Sequence, residues 1–468
     1  TAITLQGAQA GVNACGRVAS ETIVTAVNPT LEALQIIGPG ATNAIIDGFT
    51  FRGTTTAFAC VQSVGANMTG MQFLNNRVRE FVTVGVYLNK GNVNGIFSGN
   101  EVDGSSQVGS GMLVGLDGSD PFHGLQFTNN CLQSTLNTGL FADGNHIWTA
   151  GSGAILPPAI TGNLFKNCGT GANLGSRSFN TTVLPTATIS NNTFQNNTFD
   201  GLQGGPQNTA ITNNSFLGNI RSGLSLTSFG NTGADRGAQN CTITGNTFTA
   251  NGREGIFCSA GQAVGTMATN AINNNNFVGN GTTGTFDGLF YSGTEAINAS
   301  CNWWNNIGGP DYLPVNPNPP GDDIGGTSTT VVFQPWLDAP APGGLCNQVV
   351  ADKVTPVPPP TCISLANTCV TVPMNIARVS STNARGYSVT FSLSSNLALC
   401  VSPGTSITQG NYLSSISGTQ YQVVDNGGGS YTVDCAILGL PCGATAATGN
   451  LFNVAVMKNG PDGTGTVT

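Results

Sequence analysis

A short phrase is repeated through residues 160–310, and it limits what this chain can fold into. Each copy holds an aliphatic residue, asparagines and an aromatic residue, as in ITGNLFKN from Ile160 and ITGNTFTAN from Ile243. Aligned on the aromatic residue, the copies are 29, 22, 32, 29 and 26 residues apart, at Phe165, Phe194, Phe216, Phe248, Phe277 and Trp303. A repeat of this length indicates one supersecondary unit that stacks on its neighbours.

The residues within each copy indicate that the unit is built of strands. Its apolar pieces are short, rich in Ile, Thr, Val and Phe, and alternate with polar residues, which is a strand pattern rather than a helix pattern. Asn, Gly, Ser and Thr lie between these pieces and supply turns. A second apolar pair follows a glycine in each copy, as at Gly201-Leu202 and Gly255-Ile256. The sequence therefore predicts a coil of short strands, each pairing with the next coil about 4.8 Å away.

The repeated phrases and the closing segment CNWWNNIGGP, residues 301–310, resemble the right-handed parallel β-helix proteins of the pectin-lyase-like superfamily. The resemblance implies an all-β, right-handed parallel β-helix. It implies little about activity, because that superfamily includes lyases, hydrolases, epimerases, tailspikes, adhesins and scaffolds.

Aromatic residues at one position of successive coils are expected to stack inside the cylinder. The earlier coils contribute Phe49, Phe73, Phe97 and Phe127, and the later coils continue from Phe165 to Trp303. We expect the asparagines beside them to form side-chain ladders in the turns. Both roles are structural.

Composition excludes several classes of partner. Charged residues are only 8% of the chain, the net charge is −8 and the sequence pI is about 4.6, which argues against nucleic acid or an anionic membrane. No apolar run approaches the roughly 20 residues of a membrane-spanning helix. The first residues, TAITLQGAQAGV, resemble a strand already under way, and we expect an export signal to have been removed before them.

Thirteen scattered cysteines and two histidines make a zinc site a poor interpretation. Scattered cysteines in a repetitive β protein fit a secreted chain with some disulfides. Those within the coils are equally compatible with buried, reduced thiols. In the C-terminal region Cys362 with Cys369, and Cys400 with Cys435 or Cys442, are possible pairs.

Composition also predicts the domain organisation. Residues 1–345 are assigned to the β-helix with its C-terminal cap, where Phe333 and Trp336 are expected to close the cylinder. Residues 346–361 are rich in proline and are predicted to form a linker. Residues 362–468 have longer alternating strands, which predict a β-sandwich resembling the cohesin-like and carbohydrate-binding sandwiches of secreted bacterial proteins.

Acidic residues that precede the repeated glycines are the candidate catalytic groups. Alignment places Asp200, Ser222, Glu254 and Asp287 on consecutive coils, with Arg221 and Arg253 one place earlier. Carboxyls about 5 Å apart suit a retaining glycosidase, and those about 10 Å apart suit an inverting one. The simpler interpretation, which we prefer, is a solvated ladder of charges beside turns.

No other motif strengthens a catalytic or metal site. The sequence has no paired D-D together with N-T-D and G-H-G, the combination found in polygalacturonases, and it lacks the W-x-D-H motif of pectate lyases. Asp103, Asp117 and Asp120 could bind calcium through their carboxylates, although Asp-Gly turns explain them more simply. Long insertions at 115–124, 145–158, 175–185 and 227–239 are predicted loops, where solenoids often carry recognition.

The leading hypothesis is a non-catalytic, structural or adhesive β-helix protein secreted to the bacterial cell surface. A finer version has subunits joining end to end into a filament through terminal strands. The alternative hypothesis is a secreted polysaccharide lyase or glycoside hydrolase with an appended binding module. Predicted partners are therefore further copies of the chain, other surface proteins or a polysaccharide, and no cofactor other than calcium is considered.

Overall fold

The structure is a computed structural model that divides into two compact units, residues 1–348 and 349–468. It describes residues 2–467 except 55, 108, 115–122, 143–156, 175–186, 207, 227–237, 259–266, 283–287, 294, 313–320, 327–330, 347–352, 379–382 and 440–442. The predicted Asp117, Asp120 and Asp287 lie outside the described residues, as does most of the four predicted loops.

Unit 1 is a parallel β-helix built from three long sheets, and the chain visits them in the same order in every coil. The first sheet contains Thr4–Gln6, Ile45–Asp47, Gln72–Leu74, Ile96–Ser98, Gln126–Thr128, Ala159–Thr161, Ala187–Ser190, Thr209–Thr212, Thr242–Thr244, Ala271–Asn273, Ile297–Asn298 and Val331–Val332. The second contains Thr22–Thr25, Phe49–Arg52, Arg77–Arg79, Glu101–Gln107, Cys131–Thr135, Leu164–Lys166, Thr193–Gln195, Ser215–Leu217, Thr247–Thr249 and Asn276–Val278.

The third sheet contains Leu34–Gly38, Ala59–Gly65, Val84–Leu88, Ser110–Val114, Thr138–Ala142, Thr170–Leu174, Leu202–Gly204, Leu224–Leu226, Ile256–Cys258, Leu289–Tyr291 and Ile324–Gly325. A small pair of strands, Met68–Thr69 and Asn92–Val93, and a short 3-10 helix at Met267–Thr269 complete the regular elements. The predicted all-β, right-handed parallel β-helix is confirmed.

Each coil places one buried side chain from the first sheet and one from the second, five residues later, inside the cylinder. The pairs are Ile46/Phe51, Phe73/Val78, Phe97/Val102, Phe127/Leu132, Ile160/Phe165, Ile189/Phe194, Ile211/Phe216, Ile243/Phe248, Ile272/Phe277 and Ala299/Trp304. The rings from Phe165 to Phe277 stack with centroids 4.8–5.2 Å apart.

The predicted aromatic column differs from this core in three ways. Phe73, Phe97 and Phe127 lie on the first sheet, whereas the later rings lie on the second sheet. The ring next to Phe73 is Phe51 rather than Phe49. Trp304, not Trp303, stacks on Phe277 at 4.6 Å, because Trp303 bridges to Asn276 and so places the next residue opposite Phe277.

Two ladders of buried asparagines run along the turns. The first joins Asn76, Asn100, Asn130, Asn163, Asn192, Asn214, Asn246, Asn275 and Asn302, each side-chain oxygen accepting the backbone N–H of the preceding member. The second joins Asn197, Asn219, Asn251 and Asn280, and it ends on the carboxylate of Asp322. These amides satisfy backbone groups that the turns would otherwise bury without partners.

Disulfides and caps secure both ends of unit 1. Cys15 is bonded to Cys131, and Cys301 to Cys346. Phe333 and Trp336 are buried and stacked, in the segment expected to close the cylinder.

Unit 2 is a β-sandwich of two antiparallel sheets. One contains Lys353–Pro356, Cys369–Ala377, Thr448–Lys458, Leu397–Leu399 and Ile407–Gln409; the other contains Gly386–Ser392, Ser430–Ile437 and Thr419–Gly427. Two one-turn helices, Pro403–Ser406 and Asn411–Ser414, lie between strands. Residues of both sheets share one core.

Two sequence expectations in this region need correction. Cys369 is bonded to Cys400, so neither residue has the predicted partner, and Cys362 and Cys435 are free thiols. Within the predicted linker, Lys353–Pro356 pairs with Cys369–Ala377 as a strand of the sandwich. Cys442 lies outside the described residues.

Candidate functional site

The candidate acidic residues lie at the edge of the third sheet, where the chain enters it. Three backbone hydrogen bonds join successive coils here: Gly171 N–H donates to the backbone carbonyl of Asp200, Gly201 N–H to that of Ser222, and Gly223 N–H to that of Glu254. The three accepting residues therefore lie on consecutive coils. Asp200 and Glu254 are 0% exposed and Ser222 is 1% exposed. The charges therefore form a buried cluster rather than the solvated ladder that the sequence suggested.

Ser222 connects the two carboxyl groups. Its backbone N–H donates to Asp200 Oδ1 at 3.1 Å, and its hydroxyl donates to Glu254 Oε2 at 2.8 Å. The remaining oxygens, Asp200 Oδ2 and Glu254 Oε1, accept no hydrogen bond. Among the described residues, Asp200 Oδ2 is therefore a buried acceptor without a hydrogen-bond donor, whereas Glu254 Oε1 forms an ion pair with Arg253.

Two half-exposed arginines lie beside these carboxyl groups. Arg221 Nε is 3.8 Å from Asp200 Oδ1, and Arg253 Nη2 is 3.1 Å from Glu254 Oε1. The contact between Arg253 and Glu254 is an ion pair without hydrogen-bond geometry. Burial raises the pKa of Asp200, and the positive charge of Arg221 opposes that shift only in part. The guanidinium of Arg253 also lies over the ring of Phe257, 5.9 Å from its centroid.

A groove of about 540 Å³ runs along the outside of the third sheet beside this cluster. Its walls include three aromatic rings, Phe58, Phe141 and Phe199. Hydroxyl and amide groups and one guanidinium line the rest: Ser110, Thr138, Thr170, Asn173, Gln203 and Arg221. We call this the third-sheet groove.

Strand register explains how these side chains come together. Leu113, Phe141, Asn173, Gln203, Ser225, Phe257 and Phe290 are directly opposite one another along the outer face of the third sheet. Each follows a glycine by two residues, from Leu113 after Gly111 to Phe290 after Gly288. This column was not predicted, although alignment on the same glycines places its residues at one position of successive coils.

No candidate metal site is present among the described residues. They contain no group of three or more His, Cys, Asp and Glu side chains placed to hold a metal ion. The Asp103 carboxylate accepts from the backbone of Ser105 and from the side chain of Gln133, as expected for a turn. No described helix is long and apolar enough to cross a membrane.

Unit 2 has a cleft of its own, of about 860 Å³, between the proline-rich segment and residues 461–467. Val370, Val372 and Leu397 contribute apolar groups, and the free thiol of Cys362 lies at its rim. Prolines and glycines contribute to the lining, together with polar side chains that include Asn396, Lys458 and Asp462.

Fold and site together define a right-handed parallel β-helix protein with an outward groove and an appended sandwich. Residues 114–303 match the family model described as the right handed beta helix region. No curated protein matches the chain.

Several solved structures are similar to this chain at low sequence identity. The Dettilon tailspike protein gp208 is 10% identical, with 98% of this chain and 86% of that chain covered and a TM-score of 0.38. The tailspike gp49 of Acinetobacter baumannii bacteriophage Fri1, a capsular polysaccharide depolymerase, is 11% identical, with 90% and 81% covered and a TM-score of 0.32. The Azotobacter vinelandii mannuronan C-5 epimerase AlgE6 A-module is 14% identical, with 72% and 91% covered and a TM-score of 0.28.

Proposed function

We propose that this chain is a non-catalytic, glycan-binding β-helix protein of the bacterial cell surface, with its ligand in the third-sheet groove. The observation that carries the proposal is the combination of exposed rings with amides and hydroxyls on one outer face. Phe58 and Phe199 are each 47% exposed, so they present apolar faces on which the C–H face of a sugar ring can lie. Asn173 and Gln203 can hydrogen-bond to sugar hydroxyls.

Burial of the acidic cluster supports binding without cleavage. A general acid or nucleophile must come within hydrogen-bond distance of the glycosidic oxygen or the anomeric carbon. Asp200 and Glu254 have no exposed surface, and Arg221 and Arg253 lie beside them. In this arrangement the carboxyl groups hold the arginines in place and fix the edge where the chain enters the third sheet.

Three disulfides support an oxidising, extracellular location, because such bonds persist mainly outside the cytoplasm. The end-to-end filament predicted from the sequence stays a prediction. Rods of constant width in negative-stain micrographs would support it, and single particles at all concentrations would exclude it.

The test is binding to a glycan array, followed by calorimetry with the best ligand. We expect Phe141→Ala and Phe199→Ala each to weaken binding about tenfold, since each removes one stacking platform. Ile220→Ala is the matched control, because Ile220 is an exposed apolar residue, 56% exposed, outside the groove.

Two outcomes would overturn the proposal. Absence of binding across a broad panel of neutral and acidic glycans would remove the groove as a glycan site. Release of sugar from a bound polymer, lost in Asp200→Asn or Glu254→Gln, would instead identify a glycoside hydrolase or lyase, for which the raised pKa of Asp200 would suit a general acid.

A further inference from the structure

The two sheets of unit 2 have four edges, and three of them are shorter than the fourth, carry a lysine and a proline, or are bordered by other segments at their ends. Lys353–Pro356 is short and carries a lysine and a proline. The opposite edge of that sheet consists of three-residue strands, Leu397–Leu399 and Ile407–Gln409. Gly386–Ser392, an edge of the second sheet, is bordered at its ends by the bridges Ala384–Ala444 and Leu393–Val467. Short strands, Lys, Pro and covering segments are the usual means of blocking an edge.

The fourth edge, Thr419–Gly427, is not shortened and carries no blocking residue, and the one-turn helix Pro403–Ser406 lies beside it without pairing with its backbone. It is nine residues long, contains neither lysine nor proline, and in the described part of unit 2 pairs only with Ser430–Ile437. Its backbone groups on the other side make no hydrogen bond with any described segment. We call this strand the open edge.

Side chains of the open edge alternate as in a sheet that can be extended. Tyr421 and Val423 point inward and pack against the sandwich core, yet both remain half-exposed at its rim. Gln420, Gln422 and Val424 point outward and are exposed. A strand added at this edge would complete the burial of Tyr421 and Val423 as well as pair the free backbone groups.

We propose that the open edge binds the open edge of a second copy of this chain, forming an antiparallel two-fold pair centred on Gln422. A two-fold interface uses the same residues from both copies, so the strand must be complementary to itself. Pairing about Gln422 places Tyr421 opposite Val423 of the other copy and Gln420 opposite Val424. Side chains that face the sandwich core in one copy thereby lie opposite side chains that face the core in the other. The two three-stranded sheets become a single six-stranded sheet.

The charges of the strand are compatible with this pairing. Asp425 is the only charged residue between Thr419 and Gly427, and the two-fold axis places it opposite Thr419. No like charges therefore face each other, whereas like charges directly opposite would destabilise the pair. An aromatic residue opposite a β-branched one, as with Tyr421 and Val423, is a favourable cross-strand combination. The interface does not involve the third-sheet groove and is independent of glycan binding.

The test is the mass of the full chain by light scattering over a concentration series. We expect a species of twice 47.6 kDa that dissociates on dilution. Gln422→Lys places two lysines opposite each other, and we expect it to raise the dissociation constant about tenfold. Ser388→Lys is the matched control, since Ser388 is exposed on the outer face of the same sheet at the blocked edge, and it should dimerise like the parent.

Cross-linking provides a second measurement that identifies the edge. Cys362 is an exposed free thiol, so the experiment uses a Cys362→Ser background. In that background Gln422→Cys should give a disulfide-linked dimer on mild oxidation, and Ser388→Cys should not. A parent chain that stays monomeric at every concentration overturns the proposal. So does a dimer that Gln422→Lys leaves unchanged or Gln422→Cys fails to cross-link.

Discussion

Asn214→Ala is the perturbation that most directly tests how the coils are held together. The side chain of Asn214 makes four hydrogen bonds: it accepts from the backbone and the side chain of Asn192, and donates to Ile189 O and Asn246 Oδ1, all at 2.9–3.0 Å. Alanine leaves three buried groups without partners, namely two N–H groups of Asn192 and the carbonyl of Ile189. At about 1–3 kcal/mol each, with some relaxation, the expected loss is roughly 3–6 kcal/mol.

The assay is chemical denaturation of unit 1 combined with hydrogen exchange at the Asn192 amide. Both the free energy of unfolding and the protection of that amide should fall in Asn214→Ala. The control is Thr212→Ala in the same coil, whose half-buried side chain points outward and should change stability by less than about 0.5 kcal/mol. A loss below about 1 kcal/mol for Asn214→Ala, with Asn192 still protected, would show that the asparagine ladder does not stabilise the stack.

Three further predictions follow from the core and its end. Phe216→Ala should cost about 3–5 kcal/mol in denaturant unfolding, because the ring is fully buried between two others. Trp304→Ala should lower the melting temperature more than Trp303→Ala, since Trp304 has no exposed surface and Trp303 is half-exposed. Burial raises the pKa of Asp322, so its contribution to stability is complete below the ordinary Asp pKa of about 3.9 and is lost as the pH rises through the higher folded value. In Asp322→Asn the melting temperature of unit 1 should depend less on pH across that range. Curves of melting temperature against pH that run parallel for variant and parent would contradict the assignment.

The fold was predictable because the repeat has strand composition and recurs at the spacing of one coil. The register inside the cylinder was only partly predictable, because the aromatic residues used for the alignment lie on the first sheet in some coils and on the second sheet in others. The asparagines do keep one position: each member of the first ladder follows its first-sheet core residue by three places, as Asn76 follows Phe73 and Asn163 follows Ile160. Aligned on asparagine, the sequence would have assigned Trp304, two places after Asn302, to the core.

The candidate site was predictable in position but not in environment. Alignment on the repeated glycines correctly placed Asp200, Ser222 and Glu254 on consecutive coils. It could not show that these side chains are buried, because burial depends on how neighbouring coils pack rather than on the sequence near each acid. The open edge was also beyond sequence reasoning, since which strand borders a sandwich is set by long-range pairing.

Conservation of core volume explains why the aromatic column changes sheets. In the coils of Phe73, Phe97 and Phe127 the ring comes from the first sheet, and the second sheet contributes Val78, Val102 or Leu132. In the following coils the first sheet contributes isoleucine and the second sheet a phenylalanine. The last coil pairs the smallest partner, Ala299, with the largest ring, Trp304. Each cross-section therefore holds one ring and one smaller side chain, as close packing of a cylinder of fixed width requires. The rings of Phe127 and Phe165 still stack at 6.4 Å where the column crosses between sheets, so the exchange does not interrupt the stack.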